Sequence, residues 1–253
     1  MSLFSLHGLN ALVIGGTSGI GREIAHGLQH HGARLAIVGR TPGKLEAALE
    51  EFRAIDPSAR GYAVDVSVET DLDGLVDAVL EDFGHVDILV PCQGCTILKA
   101  ADAFTAADYD AIMGTNLRSV FFACTKIGRH MLARRKGAII NIGSMSAHRG
   151  FPLAAVYAVS KHGIIGLTQS LAAEWADRGV RVNAISPGFF MTDLNRSRMS
   201  EERKERALRR TPMARFGGLE ELVGAAVFLA SPAAGFVTGA VIPVDGGYLA
   251  SGI

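Results

Sequence analysis

The sequence predicts an α/β fold in which a doubly wound, seven-stranded parallel sheet carries helices on both faces. Short apolar runs alternate with helix-length amphipathic stretches along the 253 residues. Most of these runs are apolar throughout, as is typical of parallel strands covered on both faces. No linker rich in proline, glycine or serine divides the chain, so we expect one domain over residues 1–253.

Seven runs are predicted as strands and the intervening stretches as helices. The strands are Ala11–Gly15, Arg34–Gly39, Ala63–Val66, Val86–Val90, Ala138–Gly143, Arg181–Ser186 and Val241–Val244. The helices are expected near 19–31, 43–55, 69–83, 105–135, 154–177 and 219–230. A charge-dense segment at 195–210 has mixed signs at helical spacing, which predicts an exposed, ion-paired helix.

The charge balance argues against two classes of partner. Basic and acidic residues number 25 each, so the chain has no net positive charge to attract nucleic acid or an acidic membrane. No apolar segment approaches the roughly 20 residues needed to span a bilayer, and the first residues lack the features of a signal peptide. We therefore expect a cytoplasmic protein with a small-molecule substrate and with neither nucleic acid nor membrane as partner.

The three cysteines, Cys92, Cys95 and Cys124, do not predict a disulfide framework, because their number is odd and no secretion signal precedes them. Cys92 and Cys95 have the spacing of a redox or zinc pair. Two cysteines alone cannot complete a four-ligand zinc site. We therefore expect small buried thiols and no metal.

A glycine-rich loop follows the first predicted strand and opens a helix. Its sequence is GGTSGIG, and such glycines let backbone N–H groups approach a pyrophosphate that rests on the helix N-terminus. An ordinary strand-to-helix turn is the alternative, but the position after strand one favours dinucleotide binding. The expected contacts are Gly15, Thr17, Ser18, Gly19, Ile20 and Gly21.

The next two strand ends bear on the choice of cofactor. The second strand ends at Gly39 and Arg40, so the acidic residue that would hold the ribose hydroxyls of NAD is missing and a cation follows. This favours NADP, with NAD possible, although Arg40 could be an ordinary surface residue. Asp65 and Val66 close the third strand, where Asp65 could accept from the adenine amino group or cap the following turn.

A tyrosine and a lysine four residues apart form the predicted chemical centre. On a helix, Tyr157 and Lys161 share one face, and a cation beside a phenol stabilises the phenolate. Such a tyrosine can exchange a proton with a substrate hydroxyl or carbonyl. Ser144 ends the fifth predicted strand, at the edge where open α/β sheets bind ligands. Asn116 lies within the long helical stretch.

Taken together, these motifs resemble the short-chain dehydrogenase/reductase family over essentially the whole chain. The matching stretches are GGTSGIG, Asp65-Val66, NLRSVFF from Asn116, INIGS, YAVSK, RVNAISPG and VDGG. The resemblance implies a Rossmann fold and a nicotinamide-dependent oxidoreductase that moves hydride between the cofactor and a secondary alcohol or ketone. It also implies a homotetramer or homodimer built partly from the long helices.

The resemblance assigns roles to particular residues. Tyr157 would be the general acid/base, with Lys161 favouring its phenolate and binding the nicotinamide ribose. Ser144 would orient the substrate oxygen, and Asn116 would hold a water in a proton relay with Lys161. The remaining cofactor contacts implied are Gly94, which lets the backbone approach the cofactor, and Pro187, Gly188 and Thr192, which border the nicotinamide.

The chain departs from the family pattern in two places. Ile14 stands where the glycine motif usually opens with threonine, which removes a side-chain hydrogen bond. After the fourth strand the family has N-N-A-G, whereas this chain has Pro91-Cys92-Gln93-Gly94. Pro91 can neither reproduce the asparagine side-chain bond nor donate from its backbone. We expect altered local stability and weaker cofactor affinity, with the chemistry retained.

Two tail stretches, PGFFMTDLN and TPMARFGGLEELVGAAVFLAS, resemble the sugar- and polyol-oxidising branch, particularly gluconate 5-dehydrogenase-like members. Similar stretches occur in 3-oxoacyl-carrier-protein reductases, so a ketoreductase is the alternative enzyme. A cofactor-binding regulatory protein without turnover is the alternative outside the enzymes.

Several loop residues are expected to border the substrate. They are Ser146, His148, Arg149, Phe189, Phe190 and Asn195. Arg149 is the nearest candidate to bind a sugar-acid carboxylate, although a surface arginine is the commoner case. The segment 192–210 is predicted to form a mobile lid over the substrate, with a fixed surface helix as the alternative.

Overall fold

The sheet consists of seven parallel strands in the order β3-β2-β1-β4-β5-β6-β7. The structure is a computed structural model that describes residues 2–192 and 199–251. The strands are β1 (Asn10–Ile14), β2 (Arg34–Gly39), β3 (Arg60–Ala63), β4 (Ile88–Pro91), β5 (Gly137–Ile142), β6 (Val180–Pro187) and β7 (Val241–Val244). The predicted doubly wound parallel sheet is confirmed.

Helices cover both faces of this sheet. They are α1 (Gly19–His30), α2 (Pro42–Ile55), α3 (Glu69–Phe83), α4 (Ala106–Met113), α5 (Ser119–Arg134), α6 (Ala155–Trp175), α7 (Glu201–Arg210) and α8 (Val223–Ala230). Successive side chains of β1 enter different cores: Val13 packs with α1, α2 and α8, whereas Leu12 packs with α3, α5 and α6. Burial on both faces explains why the strand sequences are continuously apolar.

Besides shifts at the ends of other elements, two predicted elements differ from the observed ones in position or continuity. The third strand lies at Arg60–Ala63 rather than Ala63–Val66, because it is a half-exposed edge strand that lacks a continuous apolar sequence. The predicted helix 105–135 is divided into α4 and α5 by a π-helical turn at Gly114–Arg118, in which the Ser119 N–H bonds to the Gly114 carbonyl. Such a turn inserts a residue without breaking the apolar pattern, so periodicity alone does not show it.

Pro91 is the last residue of β4 and pairs with Ile14 of β1. The following Cys92 N–H donates to the Ile14 carbonyl at 2.9 Å. Neighbouring residues in a strand point their N–H groups to opposite sides, so the backbone nitrogen of Pro91 points towards β5. Because proline has no N–H group, it cannot donate a hydrogen bond to that strand. The pairing of β4 with β5 accordingly extends only over Ile88 and Leu89. The two strands separate at the edge where the site lies.

The charge-dense segment is helical from Glu201, with Ser200 as its N-cap. Its ion pairs run along one helix, for example Lys204 to Glu201 at 2.6 Å. The predicted ion-paired helix is therefore present over the part of the segment that the structure describes; residues 193–198 lie outside the described residues. No helix in the described ranges is long and apolar enough to cross a membrane.

Candidate active site

A cavity of about 480 Å³ opens at the carboxyl ends of the central strands, where the strand order reverses between β1 and β4. Ligands bind at this switch point in doubly wound sheets. All of the predicted cofactor contacts lie in its wall. They are Gly15, Thr17, Ser18, Gly19, Ile20, Gly21, Arg40, Asp65, Val66, Gly94, Tyr157, Lys161, Pro187, Gly188 and Thr192.

The glycine loop presents the open N-terminus of α1 to this cavity. Ser18 is the extended N-cap residue, and its side chain makes no capping hydrogen bond within the described structure. The first N–H groups of α1 and the positive end of its dipole are therefore available to an anion. Gly15 and Gly19 have φ of +78° and +53°, which favours glycine. A Cβ at Gly21 would overlap the Gly15 carbonyl oxygen, so the loop packs backbone against backbone.

The adenosine end of the cavity carries two cations and one carboxylate. A Cβ at Gly39 would overlap the Thr17 side chain, so this strand end is packed closed where NAD-binding proteins carry an acidic residue. Arg40 and Lys44 both line the cavity. Asp65 lies 3.8 Å from Arg40, and a hydrogen bond from the Ser67 hydroxyl lowers the pKa of Asp65, with the Ser67 amide and Arg40 adding to the effect. Asp65 thus caps its own turn and faces the cavity.

The phenol, ammonium and hydroxyl meet at the other end. Tyr157 and Lys161 lie one turn apart on α6, with the Lys161 Nζ 5.8 Å from the Tyr157 ring centroid. Lys161 is buried, and its Nζ donates to the carbonyl of Ile142, the last residue of β5, at 2.8 Å. Ser144 lines the same cavity, and its Oγ accepts from the Ser146 N–H at 3.1 Å. The structure brings these three predicted catalytic side chains into one wall.

Asn116 is fully buried behind this wall, on the π-helical turn. Its Oδ1 accepts from the Cys95 N–H at 2.8 Å, and its Nδ2 donates to the Cys95 carbonyl at 2.9 Å and to Ser160 Oγ at 3.1 Å. The amide therefore holds the backbone just after Gly94, which forms part of the cavity. One lone pair on Oδ1 remains for a further donor.

The sequence matches known proteins along its length. Residues 15–249 match the family model described as Enoyl-(Acyl carrier protein) reductase. Gluconate 5-dehydrogenase of Gluconobacter oxydans (strain 621H) is 38% identical, and the match covers 98% of each chain. Galactitol 2-dehydrogenase (L-tagatose-forming) of Cereibacter sphaeroides is 41% identical over 98% of this chain and 97% of its own. The chain belongs to the short-chain dehydrogenase/reductase family.

A solved short-chain dehydrogenase/reductase structure agrees with this assignment. Gluconate 5-dehydrogenase from Burkholderia cenocepacia J2315, crystallised with NADP and tartrate, superposes with a TM-score of 0.94 at 36% identity, covering 98% of both chains. The similarity therefore extends over nearly the whole of both chains.

Three of the residues predicted to border the substrate make hydrogen bonds within the protein. The Ser146 N–H bonds to Ser144, and the His148 Nε2 lies 3.0 Å from Ser186 Oγ on β6. The Arg149 guanidinium donates to the carbonyls of Leu249 and Ser251. His148 and Arg149 thus anchor the loop between β5 and α6. Asn195 lies outside the described residues.

Aromatic residues from three loops meet beside the site. Phe151, Phe189 and Tyr248 follow β5, β6 and β7, and their ring centroids lie 5.5–6.4 Å apart. Phe190 is buried and lines both the main cavity and a neighbouring one of about 380 Å³. Neither Phe151 nor Tyr248 was expected here, because nothing local in the sequence indicates which loops meet.

The cysteines are free thiols, and two of them lie in the cavity wall. Burial raises the pKa of Cys92 to about 11, with nearby Lys161 opposing the shift, and raises that of Cys124 to about 12. Both thiols therefore stay protonated near neutrality. Within residues 2–192 and 199–251, no group of three or more potential ligands is placed to hold a metal ion.

Other wall residues were missed by the sequence reasoning. They include Thr41, Lys44, Ser67, Cys95, Thr96 and Thr115. Lys44 could have been found, because it lies one turn into the helix that follows Arg40 and shares its side of the sheet. The others are polar or small residues in turns, and no sequence signal separates them from ordinary turn residues.

Proposed function

We propose that this chain is an NADP-dependent oxidoreductase that transfers hydride between the nicotinamide and a secondary alcohol or ketone of a sugar, sugar acid or polyol. One observation carries the proposal: a cavity wall that combines the open N-terminus of α1 with Ser144, Tyr157 and Lys161. The relatives named above act on gluconate and galactitol, which favours polyhydroxylated substrates.

The residues present fit the cofactor. The N-terminus of α1 at Ser18 and Gly19 would hold the pyrophosphate, because its N–H groups and dipole favour an anion. Arg40 and Lys44 would take the 2′-phosphate, and Asp65 would accept from the adenine amino group. When bound, the nicotinamide supplies the hydride acceptor for oxidation or the hydride donor for reduction.

The protein supplies the proton transfer. Tyr157 would take the hydroxyl proton of the alcohol during oxidation and return it to the carbonyl oxygen during reduction. The ammonium of Lys161, held by the Ile142 carbonyl, would stabilise the phenolate. Ser144 would donate to the substrate oxygen, and its own acceptor capacity is partly occupied by the Ser146 N–H.

Asn116 would serve this chemistry from behind the wall. Two of its hydrogen bonds fix the Cys95 backbone and hence the position of Gly94, and the third ties it to Ser160 on α6. The free lone pair of Oδ1 would accept from a water that links the site to Lys161, as the family relay requires.

A substrate lid at 192–210 is part of the proposal. Its first residue lies close to the glycine loop, since a Cβ added at Gly19 would come within 3.5 Å of the Thr192 methyl. The helix of this segment, α7, ends at Arg210. The Arg210 carbonyl accepts from the Ser251 hydroxyl in the turn that follows β7. Faster proteolysis at 192–210 without NADP⁺ than with it would support a lid, whereas equal cutting would indicate a fixed surface helix.

We further propose a cytoplasmic homotetramer or homodimer built partly from the long helices. Two large apolar side chains on these helices are exposed: Phe121 on α5 is 43% exposed and Val159 on α6 is 54% exposed. Burying such side chains favours association. Light scattering after size exclusion should give two or four times the 26.7 kDa chain mass; a monomer would contradict the assembly.

The test is a turnover screen that follows NADPH absorbance. Purified protein would receive NADP⁺ or NAD⁺ with gluconate, galactitol, other polyols or simple secondary alcohols, beside a Tyr157→Phe control. Oxidation of a polyhydroxylated substrate with NADP⁺, lost in the control, is expected. A parallel reaction would supply NADPH with acyl thioester ketones, and turnover in that reaction alone would move the protein to the ketoreductase alternative. Cofactor binding without any turnover would favour the regulatory alternative.

A further inference from the structure

The segment after β7 folds into a turn that is built as one unit. We name residues 245–251 the C-terminal turn. The Asp245 carboxylate accepts from the N–H groups of Gly247 and Leu249 at 2.9 and 2.8 Å. Gly246 and Gly247 have φ of +63° and +87°, conformations that favour glycine. The local shape of this backbone is therefore stabilised by its own residues, before any contact with other loops.

The C-terminal turn contacts the loop that joins the two catalytic positions Ser144 and Tyr157. We name residues 143–154 the β5–α6 loop. From this loop, the Arg149 Nη2 donates to the carbonyls of Leu249 and Ser251 at 2.9 and 3.0 Å. Two residues later, the ring of Phe151 stacks on Tyr248, with centroids 5.9 Å apart. The guanidinium and the ring hold the same turn at two points.

On its other side the C-terminal turn contacts the end of α7. The Ser251 hydroxyl donates to the Arg210 carbonyl at 3.3 Å, and the Met213 N–H donates to the Gly246 carbonyl at 3.1 Å. The C-terminal turn thus lies between the β5–α6 loop and the proposed lid. Any movement of α7 relative to the loop must strain or break these contacts.

We infer that Arg149 is a positioning residue that latches the C-terminal turn onto the β5–α6 loop and so holds the substrate end of the cleft together. The inference rests on the proposed function. Its physical basis is that one Nη2 atom of the guanidinium already donates to two backbone carbonyls. Because the loop contains Ser144 and leads into α6, which carries Tyr157, a displacement of about 1 Å there would lower kcat/KM.

A different role for Arg149, direct binding of a substrate carboxylate, makes opposite predictions. A carboxylate ligand acts only on acidic substrates, and lysine can partly replace it as a point charge. A latch acts on every substrate, since it shapes the cleft before the substrate binds. Lysine would restore little of a latch, because its ammonium ends a shorter, flexible side chain and lacks the planar group that fixes the directions of both Nη2 N–H bonds.

The first experiment does not depend on activity. Hydrogen exchange would be compared between the wild-type protein, Arg149→Ala and Arg53→Ala, whose arginine is on α2 and pairs with Glu46. The amides of Leu249, Ala250 and Ser251 are bonded inside the C-terminal turn. They should exchange about three- to tenfold faster in Arg149→Ala, as expected for losing exposed, charge-assisted hydrogen bonds. Unchanged exchange in these amides would overturn the latch even if the protein proved inactive.

The second experiment uses the substrates found in the turnover screen. Arg149→Ala should raise KM for a sugar acid and for a neutral polyol by a similar factor, about three- to tenfold, and Arg149→Lys should do nearly the same. A rise confined to the sugar acid, rescued by lysine, would overturn the latch and assign Arg149 to the carboxylate. Absence of any turnover would refute the proposed function while the exchange result still decided the latch.

Discussion

The nucleotide end and the substrate end of the cleft are built by different means. At the nucleotide end, a contiguous loop of seven residues presents backbone N–H groups, and its close packing depends on glycines such as Gly21. At the substrate end, loops after β5, β6 and β7 meet through side chains that are far apart in sequence, such as Arg149 and Ser251.

This difference predicts which kinds of substitution each end of the cleft tolerates. A backbone cradle tolerates changes of side chain but not of shape, because an added Cβ meets backbone atoms that cannot rotate away. A side-chain assembly tolerates changes of shape, since each contact is worth little by itself. The first arrangement suits a constant cofactor, and the second suits substrates that differ among relatives.

The largest effect should come from the point where the two ends meet. Tyr157→Phe removes the only atom of the phenol that can carry the proton, so kcat should fall about 10²- to 10⁴-fold. Affinity for NADP⁺ should fall far less than kcat, because only the Tyr157 hydroxyl is lost and the other cofactor contacts, including the glycine loop, are untouched. Stopped-flow kinetics and cofactor titration would measure both; a variant that keeps more than a tenth of the turnover would contradict the role of Tyr157.

The next effect tests the rigidity of the nucleotide end. In Gly21→Ala the new methyl overlaps the Gly15 carbonyl oxygen, so stability should fall by about 1–3 kcal/mol and NADP⁺ binding should weaken. Gly74→Ala on α3 is the matched control, since its Cβ meets nothing within 4 Å and should stabilise the helix by up to about 1 kcal/mol. Urea unfolding would compare the two. Equal stability of both variants would show that the loop backbone can shift to accommodate the methyl group without a loss of stability.

A smaller effect concerns cofactor choice. Arg40→Ala should raise the Kd for NADP⁺ about tenfold, the value of one charge-assisted contact at an exposed site. The Kd for NAD⁺, which lacks the 2′-phosphate, serves as the internal control and should stay within about twofold. Isothermal titration with both cofactors would measure the ratio. An equal rise in Kd for both cofactors would mean that Arg40 acts through its ion pair with Asp65 instead.

The smallest effect comes from pH at the substrate end. Partial burial lowers the pKa of His148, His162 adds to the lowering and Asp245 opposes it. A lowered histidine pKa means that the unfolded chain binds more protons, so stability should fall as pH drops below about 6.5 towards the folded-state value. In His148→Gln this part of the stability loss at acid pH should be absent. Unfolding temperatures of the wild-type protein and of His148→Gln would be measured between pH 7.5 and pH 5. Parallel plots of Tm against pH for the two proteins would contradict the prediction.

The sequence predicted most of the fold because the signals are local. Two-sided burial gives the continuous apolar strands, and β2 and β7 were predicted with their observed bounds. The glycine loop and the Tyr157–Lys161 pair are also local, since each motif lies within one turn or one helix. The bounds of the edge strand β3 were wrong and the π-helical turn was not predicted, because neither has a distinctive periodicity.

The tertiary structure alone decided the partners of the long-range side chains. Arg149 was expected to face the substrate, yet its guanidinium donates to carbonyls a hundred residues further along the chain. Asn116 was assigned through the family pattern, but only the fold shows that its amide holds the Cys95 backbone. Backbone geometry at a glycine is fixed by the residue itself, whereas a side-chain contact depends on which loops the packed core brings together.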